Sequence, residues 1–143
     1  MKVINESEIK KMLQSAHEAK ERAYVPYSHF HVGACLKAKS GAYYMGCNIE
    51  NAAYSPTNCA ERTAMFKAVS EGERGFEALA ITSDSENITT PCGVCRHVLA
   101  EFCSGDMPVI CSNRNLEYKV FELRELLPAS FTKDDLIPAE DNH

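Results

Sequence analysis

The spacing of apolar residues near the start of the chain predicts an amphipathic helix from Glu6 to Arg22. Apolar positions recur there every three or four residues, which places them on one helical face: Ile9, Met12, Leu13, Ala16, Ala19 and Ala23. Pro26 is expected to stop this helix, because proline lacks the backbone N–H that a helix interior requires.

Alternating positions further along the chain predict a β-hairpin. The segment Phe30 to Ala38 is predicted to be a strand with three apolar side chains on one face, namely Val32, Ala34 and Leu36. Ser40-Gly41 is a turn signal, so Ala42 to Asn48 is expected to form the returning strand.

Helices and strands alternate over the remainder of the chain. Further helices are predicted over Asn58 to Glu71, Cys92 to Cys103 and Glu122 to Leu127, and further strands over Phe76 to Thr82, Met107 to Cys111 and Tyr118 to Phe121. This order predicts an α/β fold, a three-layer α/β/α sandwich with a five-stranded mixed sheet, in one domain spanning residues 1–143. The polar segment 132–143 is expected to be a loose C-terminal tail.

Composition and charge indicate which classes of partner the protein binds: nucleic acids, small molecules or membranes. The net charge is −5 and no Lys/Arg stripe is present, whereas proteins that bind nucleic acids usually carry a basic footprint. A neutral small substrate is therefore favoured over a polynucleotide. The apolar runs are too short to span a bilayer and no signal peptide is visible, so we expect a soluble cytoplasmic protein that does not bind membranes.

The cysteines carry the candidate chemistry. Seven cysteines in a chain without secretory features favour metal binding or free thiols over a disulfide framework. Cys59-Ala60-Glu61 is followed by Pro91-Cys92-Gly93-Val94-Cys95. Catalytic zinc sites typically use three protein ligands and leave one position for water, so three thiols fit such a site. Both segments lie at predicted helix starts, where thiol pKa values fall and where right-handed crossovers would bring them together.

This pattern resembles the zinc-dependent nucleoside and nucleobase deaminases, whose signature is a His or Cys, then x-Glu, then Pro-Cys-x-x-Cys. The all-cysteine version, together with the stretch Asn48-Ile49-Glu50-Asn51-Ala52-Ala53-Tyr54, is similar to the small homotetrameric cytidine deaminases. The resemblance runs from about Tyr24 to Phe131. It implies hydrolytic deamination of cytidine and 2′-deoxycytidine in pyrimidine salvage, one Zn²⁺ per chain and a homotetramer.

The resemblance also implies roles for individual residues around the metal. Cys59, Cys92 and Cys95 would hold the zinc ion, and a water activated there would attack C4 of the cytosine ring. Glu61 would carry protons from that water to the ring nitrogen N3 and to the leaving ammonia. Arg62 would offset the negative charge of three thiolates by attraction at short range.

Further residues match the substrate-binding positions of the family. Asn48 and Glu50 would bind the ribose, Ala60 would donate its backbone N–H to the base carbonyl, and Phe30 would contact the pyrimidine. Tyr54 would contact a sugar in a neighbouring subunit, and Phe131 would close a neighbour's pocket. His97 is a departure, because the family usually has Gln after Cys-Arg at this position.

Alternative interpretations remain open at this point. Asn58-x-x-Glu61 is also a capping-box pattern, which would give Glu61 a structural role. The substrate could be another cytosine compound, such as an aminoacyl-nucleoside antibiotic or a polynucleotide. A zinc-stabilised module without activity would need a fourth protein ligand, from Glu61 or a nearby Cys. A redox protein would use a reversible Cys92–Cys95 disulfide and no metal.

Overall fold

A computed structural model describes residues 3–136 of the chain. Its first helix, α1 (Glu6–Lys20), begins after Asn5, whose side chain accepts the Glu8 N–H at 2.9 Å. Such a cap satisfies a donor that has no partner within the helix. The predicted end at Arg22 is two residues late, because the chain tightens there into i→i−3 hydrogen bonds from Glu21 and Arg22.

The five strands form one mixed sheet, as the sequence predicted. They are β1 (Val32–Ala38), β2 (Tyr43–Cys47), β3 (Phe76–Ser83), β4 (Pro108–Ser112) and β5 (Tyr118–Glu122), in the order β2-β1-β3-β4-β5. Strands β3 and β4 are parallel, and the three other neighbouring pairs are antiparallel. A helix must cross over between two parallel strands, and here that helix and the residue that caps its start carry two of the candidate metal ligands, Cys95 and Cys92.

The start of β1 differs from the prediction. Phe30 was expected to open this strand, but the strand begins at Val32. His29 has a φ of 57°, in the left-handed region that strands do not use. The Phe30 N–H donates to Ser28 Oγ at 3.0 Å and its carbonyl accepts from Asn48 Nδ2 at 2.8 Å. Phe30 therefore belongs to a loop held by side chains and is not paired in the sheet.

Helices cover both faces of the sheet. Helix α1 packs on one face, and α2 (Ala60–Ser70), α3 (Gly93–Phe102) and α4 (Leu123–Leu126) pack on the other. Successive residues of β3 alternate between the two cores, because strand side chains point to opposite faces: Leu79 and Ile81 face the α2 side, and Ala78 and Ala80 face α1. The three-layer α/β/α sandwich is confirmed.

Two glycines let helices approach the sheet closely. A Cβ on Gly33 would lie 2.0 Å from the carbonyl oxygen of Ala16 in α1. A Cβ on Gly46 would lie 2.4 Å from the carbonyl oxygen of Ala60 and 2.6 Å from the backbone nitrogen of Ala64, both in α2. Because neither helix backbone could remain in place, Gly46 allows α2 to rest directly on β2 and fixes the position of its first turn.

The C-terminal region contains more local structure than the sequence predicted. Lys133–Asp135 form a 3₁₀ turn capped by Thr132. The rest of the predicted tail, residues 137–143, lies outside the described residues. In the described part of the chain, no helix combines the length and apolar character that a membrane crossing requires.

Candidate active site

Three thiols meet where helices α2 and α3 begin. Cys59 is the N-cap of α2, Cys92 is the N-cap of α3, and Cys95 lies in the first turn of α3. The Cys59 and Cys92 sulfurs are 3.6 Å apart, and the Cys92 and Cys95 sulfurs are 3.3 Å apart. All three sulfurs lie within 4.8 Å of one another. The two helix starts are therefore adjacent, as the sequence predicted.

The thiol geometry fits a zinc ion. With Zn–S bonds of about 2.3 Å, a tetrahedral site places its sulfurs about 3.8 Å apart. The Cys59–Cys92 and Cys92–Cys95 sulfur separations of 3.6 Å and 3.3 Å are somewhat shorter than that value, so a small outward movement of the thiols accommodates the ion. Thiolates are also soft ligands that suit zinc. Among residues 3–136 the group of close metal-ligating atoms comprises these three thiols, and Glu61 is not part of it. The fourth protein ligand that a structural zinc module needs is thus missing from the group.

Hydrogen bonds favour a thiolate at Cys59. The Cys95 thiol and the Arg62 guanidinium donate hydrogen bonds that lower the pKa of Cys59 to about 5. Arg62 Nη2 is 3.3 Å from the Cys59 sulfur. As the donor to Cys59, the Cys95 thiol has a raised pKa. Arg62 therefore lies where the sequence placed it, beside the thiols.

Glu61 has the environment of an acid–base group and does not cap the helix. Its side chain is 5% exposed, and this burial, with the nearby Cys59 charge, raises its pKa to about 7. The capping-box alternative is wrong, because the N-cap is Cys59 and the Asn58 amide instead donates to Thr63 Oγ1 at 3.1 Å. A pKa near neutrality suits a group that both accepts and releases protons.

A second set of residues forms a loop wall, which we define as residues 27–31 with Asn48, Glu50 and Tyr54. Asn48 Oδ1 accepts the Val32 N–H at 2.9 Å, and its Nδ2 donates to the Phe30 carbonyl at 2.8 Å. Asn48 and Glu50 both bond to backbone groups of residues 27–32. Each of the two Asn48 bonds uses one group, so one amide N–H and one lone pair remain.

Glu50 holds the first residues of the loop wall, Tyr27 and Ser28, through hydrogen bonds. Its carboxylate accepts the N–H groups of Tyr27 and Ser28, each at 3.1 Å, and also the Ser28 hydroxyl. These bonds, led by that of the Ser28 hydroxyl, lower the pKa of Glu50. Sequence reasoning missed Ser28, although serine side chains commonly bond to the backbone N–H two residues on, as Ser28 does with Phe30.

The aromatic candidates are exposed. Phe30 is 39% exposed, Tyr54 is 75% exposed and Phe131 is 59% exposed. Tyr54 has a φ of 60° and packs edge-on against Tyr27, with ring centroids 6.4 Å apart. An open groove of about 440 Å³ runs along this part of the loop wall and is lined by Tyr27, Ser28, Glu50, Asn51, Tyr54 and Thr57.

Ala60 and Phe131 complete the set of predicted site residues. Ala60 is fully buried in the first turn of α2, where backbone N–H groups have no partner within the helix. Phe131 lies on a C-terminal arm, which we define as residues 127–132. The arm is attached to α3 by His97, whose Nε2 is 3.1 Å from the Phe131 carbonyl oxygen. The structure thus joins Ala60 to the thiols and places Phe131 on a separate segment.

Asp84 supports the loop wall and carried no signal in the sequence. It follows β3 and accepts hydrogen bonds from the His31 N–H at 2.8 Å and from His31 Nδ1 at 2.7 Å. Its other oxygen is 3.3 Å from the ammonium of Lys20, a residue only 7% exposed. A single carboxylate therefore links α1, the loop wall and the sheet.

A family model decides the classification. The model of the cytidine and deoxycytidylate deaminase zinc-binding region matches residues 6–111, which include all three thiols and Glu61. The chain belongs to this family. The match covers both segments from which the sequence analysis predicted the metal site, and the zinc prediction is confirmed by it together with the thiol geometry.

Individual relatives agree over nearly the whole chain. A cytidine deaminase of Sporosarcina psychrophila is 54% identical over 90% of this chain and 95% of its own length. A cytidine deaminase of Halalkalibacterium halodurans is 48% identical over 87% of this chain and 95% of its own. The crystal structure of cytidine deaminase from Burkholderia pseudomallei superposes with a TM-score of 0.83 at 40% identity, covering 85% of this chain and 98% of that one. The family, the fold class and the enzyme class predicted from the sequence are confirmed.

Proposed function

We propose that this protein catalyses the zinc-dependent hydrolytic deamination of cytidine and 2′-deoxycytidine to uridine and 2′-deoxyuridine, with release of ammonia. The observation that carries this proposal is the meeting of three thiols with a buried carboxyl, Glu61, at two helix starts. Hydrolysis at C4 of a cytosine ring needs an activated water and a group that moves protons, and the two parts of this arrangement match those needs.

Cys59, Cys92 and Cys95 would hold the zinc, which when bound supplies a Lewis acid that brings the pKa of water from about 15.7 to about 7. The Arg62 guanidinium, 3.3 Å from the Cys59 sulfur, offsets the negative charge of the thiolates. The N-termini of α2 and α3 add partial positive charge at the same place.

Glu61 moves the protons. With a pKa raised to about 7, its carboxyl exchanges protons readily at neutral pH. It takes a proton from the attacking water and delivers it to N3 of the pyrimidine as the water oxygen bonds to C4. It then transfers the second proton to the amino group, which leaves as ammonia when the C4–N bond breaks. Uridine remains, and Glu61 returns to its starting state.

The loop wall and the start of α2 orient the nucleoside. Asn48 retains an amide N–H and a lone pair for a ribose hydroxyl, and Glu50 lies beside it with an ionised carboxylate. The Ala60 N–H binds the carbonyl of the base. Phe30, which is 39% exposed, stacks on the pyrimidine, a contact worth about 0.5–1.5 kcal/mol beyond burial.

The active protein is a homotetramer whose pockets are completed across subunit interfaces. The exposed rings of Tyr54 and Phe131 support this assembly, because large exposed aromatics are typical of surfaces that bind another protein. Tyr54 contacts the sugar in a neighbour's pocket and Phe131 closes such a pocket. The role is pyrimidine salvage in the cytoplasm, a compartment that suits seven cysteines that form no disulfide with one another.

The test is a substrate comparison with purified, zinc-assayed protein. We expect loss of the cytosine absorbance band with cytidine and 2′-deoxycytidine, and little or none with deoxycytidylate or single-stranded DNA, whose phosphates an acidic chain of net charge −5 does not attract. Full zinc content without turnover of either nucleoside would contradict the proposal. Light scattering should give the mass of four chains, and a fully active monomer would refute the shared pocket.

A further inference from the structure

One arginine outside the thiol cluster contacts two distant segments of the chain. Arg96 uses three separate nitrogens: Nε donates to the Pro91 carbonyl at 2.6 Å, Nη2 to Thr90 Oγ1 at 3.0 Å, and Nη1 to the Leu126 carbonyl at 2.7 Å. Two of these acceptors precede helix α3, and the third ends helix α4. A guanidinium has its donors in a fixed planar fork, so these contacts fix the two segments relative to each other.

On one side, Arg96 holds the peptide that carries a metal ligand. The Pro91 carbonyl belongs to the same peptide group as the Cys92 nitrogen, and Pro91 itself is fully buried. Cys92 is the most exposed of the three thiols, so packing constrains it least. The Arg96 N–H also bonds the Cys92 carbonyl at 2.9 Å. That backbone bond is the ordinary first bond of the helix, so the hold that is specific to the Arg96 side chain is on the peptide that precedes Cys92.

On the other side, Arg96 holds the root of the C-terminal arm. Leu126 is the last residue of α4, and the arm that follows it carries Phe131. The next residue on α3, His97, binds the far end of the arm at the Phe131 carbonyl, 3.1 Å away. Among the contacts found in the described residues, His97 makes none with Thr90 or Pro91. Arg96 therefore holds residues 90–91 and the start of the arm, whereas His97 holds only the end of the arm.

We propose that Arg96 is a positioning residue that couples the zinc ligand Cys92 to the C-terminal arm. Binding of zinc orders the Cys92 backbone, Arg96 transmits that order to Leu126, and the arm holds Phe131 in place. This coupling rests on the proposed function, because it would serve to position Phe131 at a substrate pocket. Zinc affinity and mobility of the arm are nevertheless measured without substrate. Failure of cytidine turnover and failure of this coupling are therefore separate outcomes.

The test compares Arg96→Lys and Arg96→Met with His97→Gln as the matched control. Arg96→Lys keeps the charge and loses the fork, whereas His97→Gln keeps a donor near Phe131 and leaves residues 90–91 untouched. In competition with a chelator, both Arg96 variants should bind zinc about 10- to 100-fold more weakly, as is typical when an outer partner of a metal ligand is lost. His97→Gln should bind zinc as the unmodified protein does.

Hydrogen exchange of the arm gives the second measurement. In the unmodified protein, removal of zinc should speed amide exchange over residues 127–132, because coupling between two sites is reciprocal. In Arg96→Met the arm should exchange fast with or without zinc. If Arg96→Met does not fold, Arg96→Lys decides the question. The proposal would be overturned if Arg96→Lys retained the zinc affinity of the unmodified protein. It would also be overturned if the amide exchange rate of the arm in the unmodified protein were the same with and without zinc.

Discussion

The thiol cluster and the loop wall are built in opposite ways. The thiols are placed by two helix starts that pack on the sheet, and the neighbouring Glu61 is 5% exposed. The loop wall consists of irregular backbone, with φ values of 57° at His29 and 60° at Tyr54, and it is held by side chains that bond to backbone groups. The proposed bond-breaking chemistry thus lies on packed helix starts, whereas the proposed sugar recognition lies on loops whose support is easier to remove.

The largest effect should follow from removing a ligand of the thiol cluster. Cys92→Ala leaves two thiols, too few for a zinc site, so both zinc content and deamination should fall to background. Metal analysis and turnover on the same sample check this. Cys47→Ser is the matched control, because Cys47 is a half-buried thiol on β2 outside the cluster. A zinc-loaded Cys92→Ala protein would show that the cluster is not the metal site.

A smaller effect is expected when the loop wall loses its support. Asn48→Ala leaves the Val32 N–H and the Phe30 carbonyl without their partner, at a cost of about 1–3 kcal/mol. We expect kcat/KM to fall on the order of 10- to 100-fold with zinc fully retained. Steady-state kinetics with metal analysis measure both quantities. The exposed Asn115 provides the control substitution to Ala, and zinc loss in Asn48→Ala would mean that the two regions are not separable.

The scaffold of the thiol cluster can be tested with two glycines. Gly46→Ala places a Cβ 2.4 Å from the Ala60 carbonyl, so α2 must shift, and the free energy of unfolding should fall by about 1–3 kcal/mol. Gly93 lies between two zinc ligands, yet a Cβ there meets nothing within 4 Å. Gly93→Ala should therefore leave stability within about 0.5 kcal/mol of the original or slightly higher. Denaturant unfolding of the two variants gives the answer, and an equal loss in both would contradict the packing argument.

The smallest effect concerns the link between the loop wall and the sheet. Partial burial raises the pKa of Asp84, but the hydrogen bonds from His31 and the Lys20 charge outweigh it and hold the pKa below the ordinary value of 3.8. The ionised carboxylate therefore stabilises the folded chain above about pH 4, and this stability is lost as the pH falls through the folded-state pKa. Unfolding of Asp84→Asn at several pH values should show a deficit at neutral pH that shrinks in acid. A deficit independent of pH would refute this account.

The sequence predicted the sandwich and the thiol cluster because both depend on local patterns. Within residues 3–136, period and turn signals located the α-helices and strands to within two residues but missed the 3₁₀ turn Lys133–Asp135, and the cysteine spacing identified the metal segments. The loop wall followed only from the family resemblance. No local pattern predicts that Asp84 lies beside His31, because the two residues are 53 positions apart in the sequence. No local pattern predicts either that the Asn48 side chain makes two hydrogen bonds to the loop backbone. Hydrophobic alternation predicts a strand that includes Phe30, because the left-handed backbone of His29 does not alter the alternation of apolar and polar residues.

The most direct test of the central claim is ultraviolet absorbance of the protein with cytidine, for the unmodified chain and Glu61→Gln in parallel, with zinc measured in both. Gln has the shape of Glu but does not exchange protons in this way. The account predicts turnover by the unmodified protein, with about one zinc per chain. It also predicts a zinc-loaded variant slower by on the order of 10²- to 10⁴-fold. Equal turnover by the two proteins, each fully loaded with zinc, would contradict the assignment of Glu61 as the group that moves the protons.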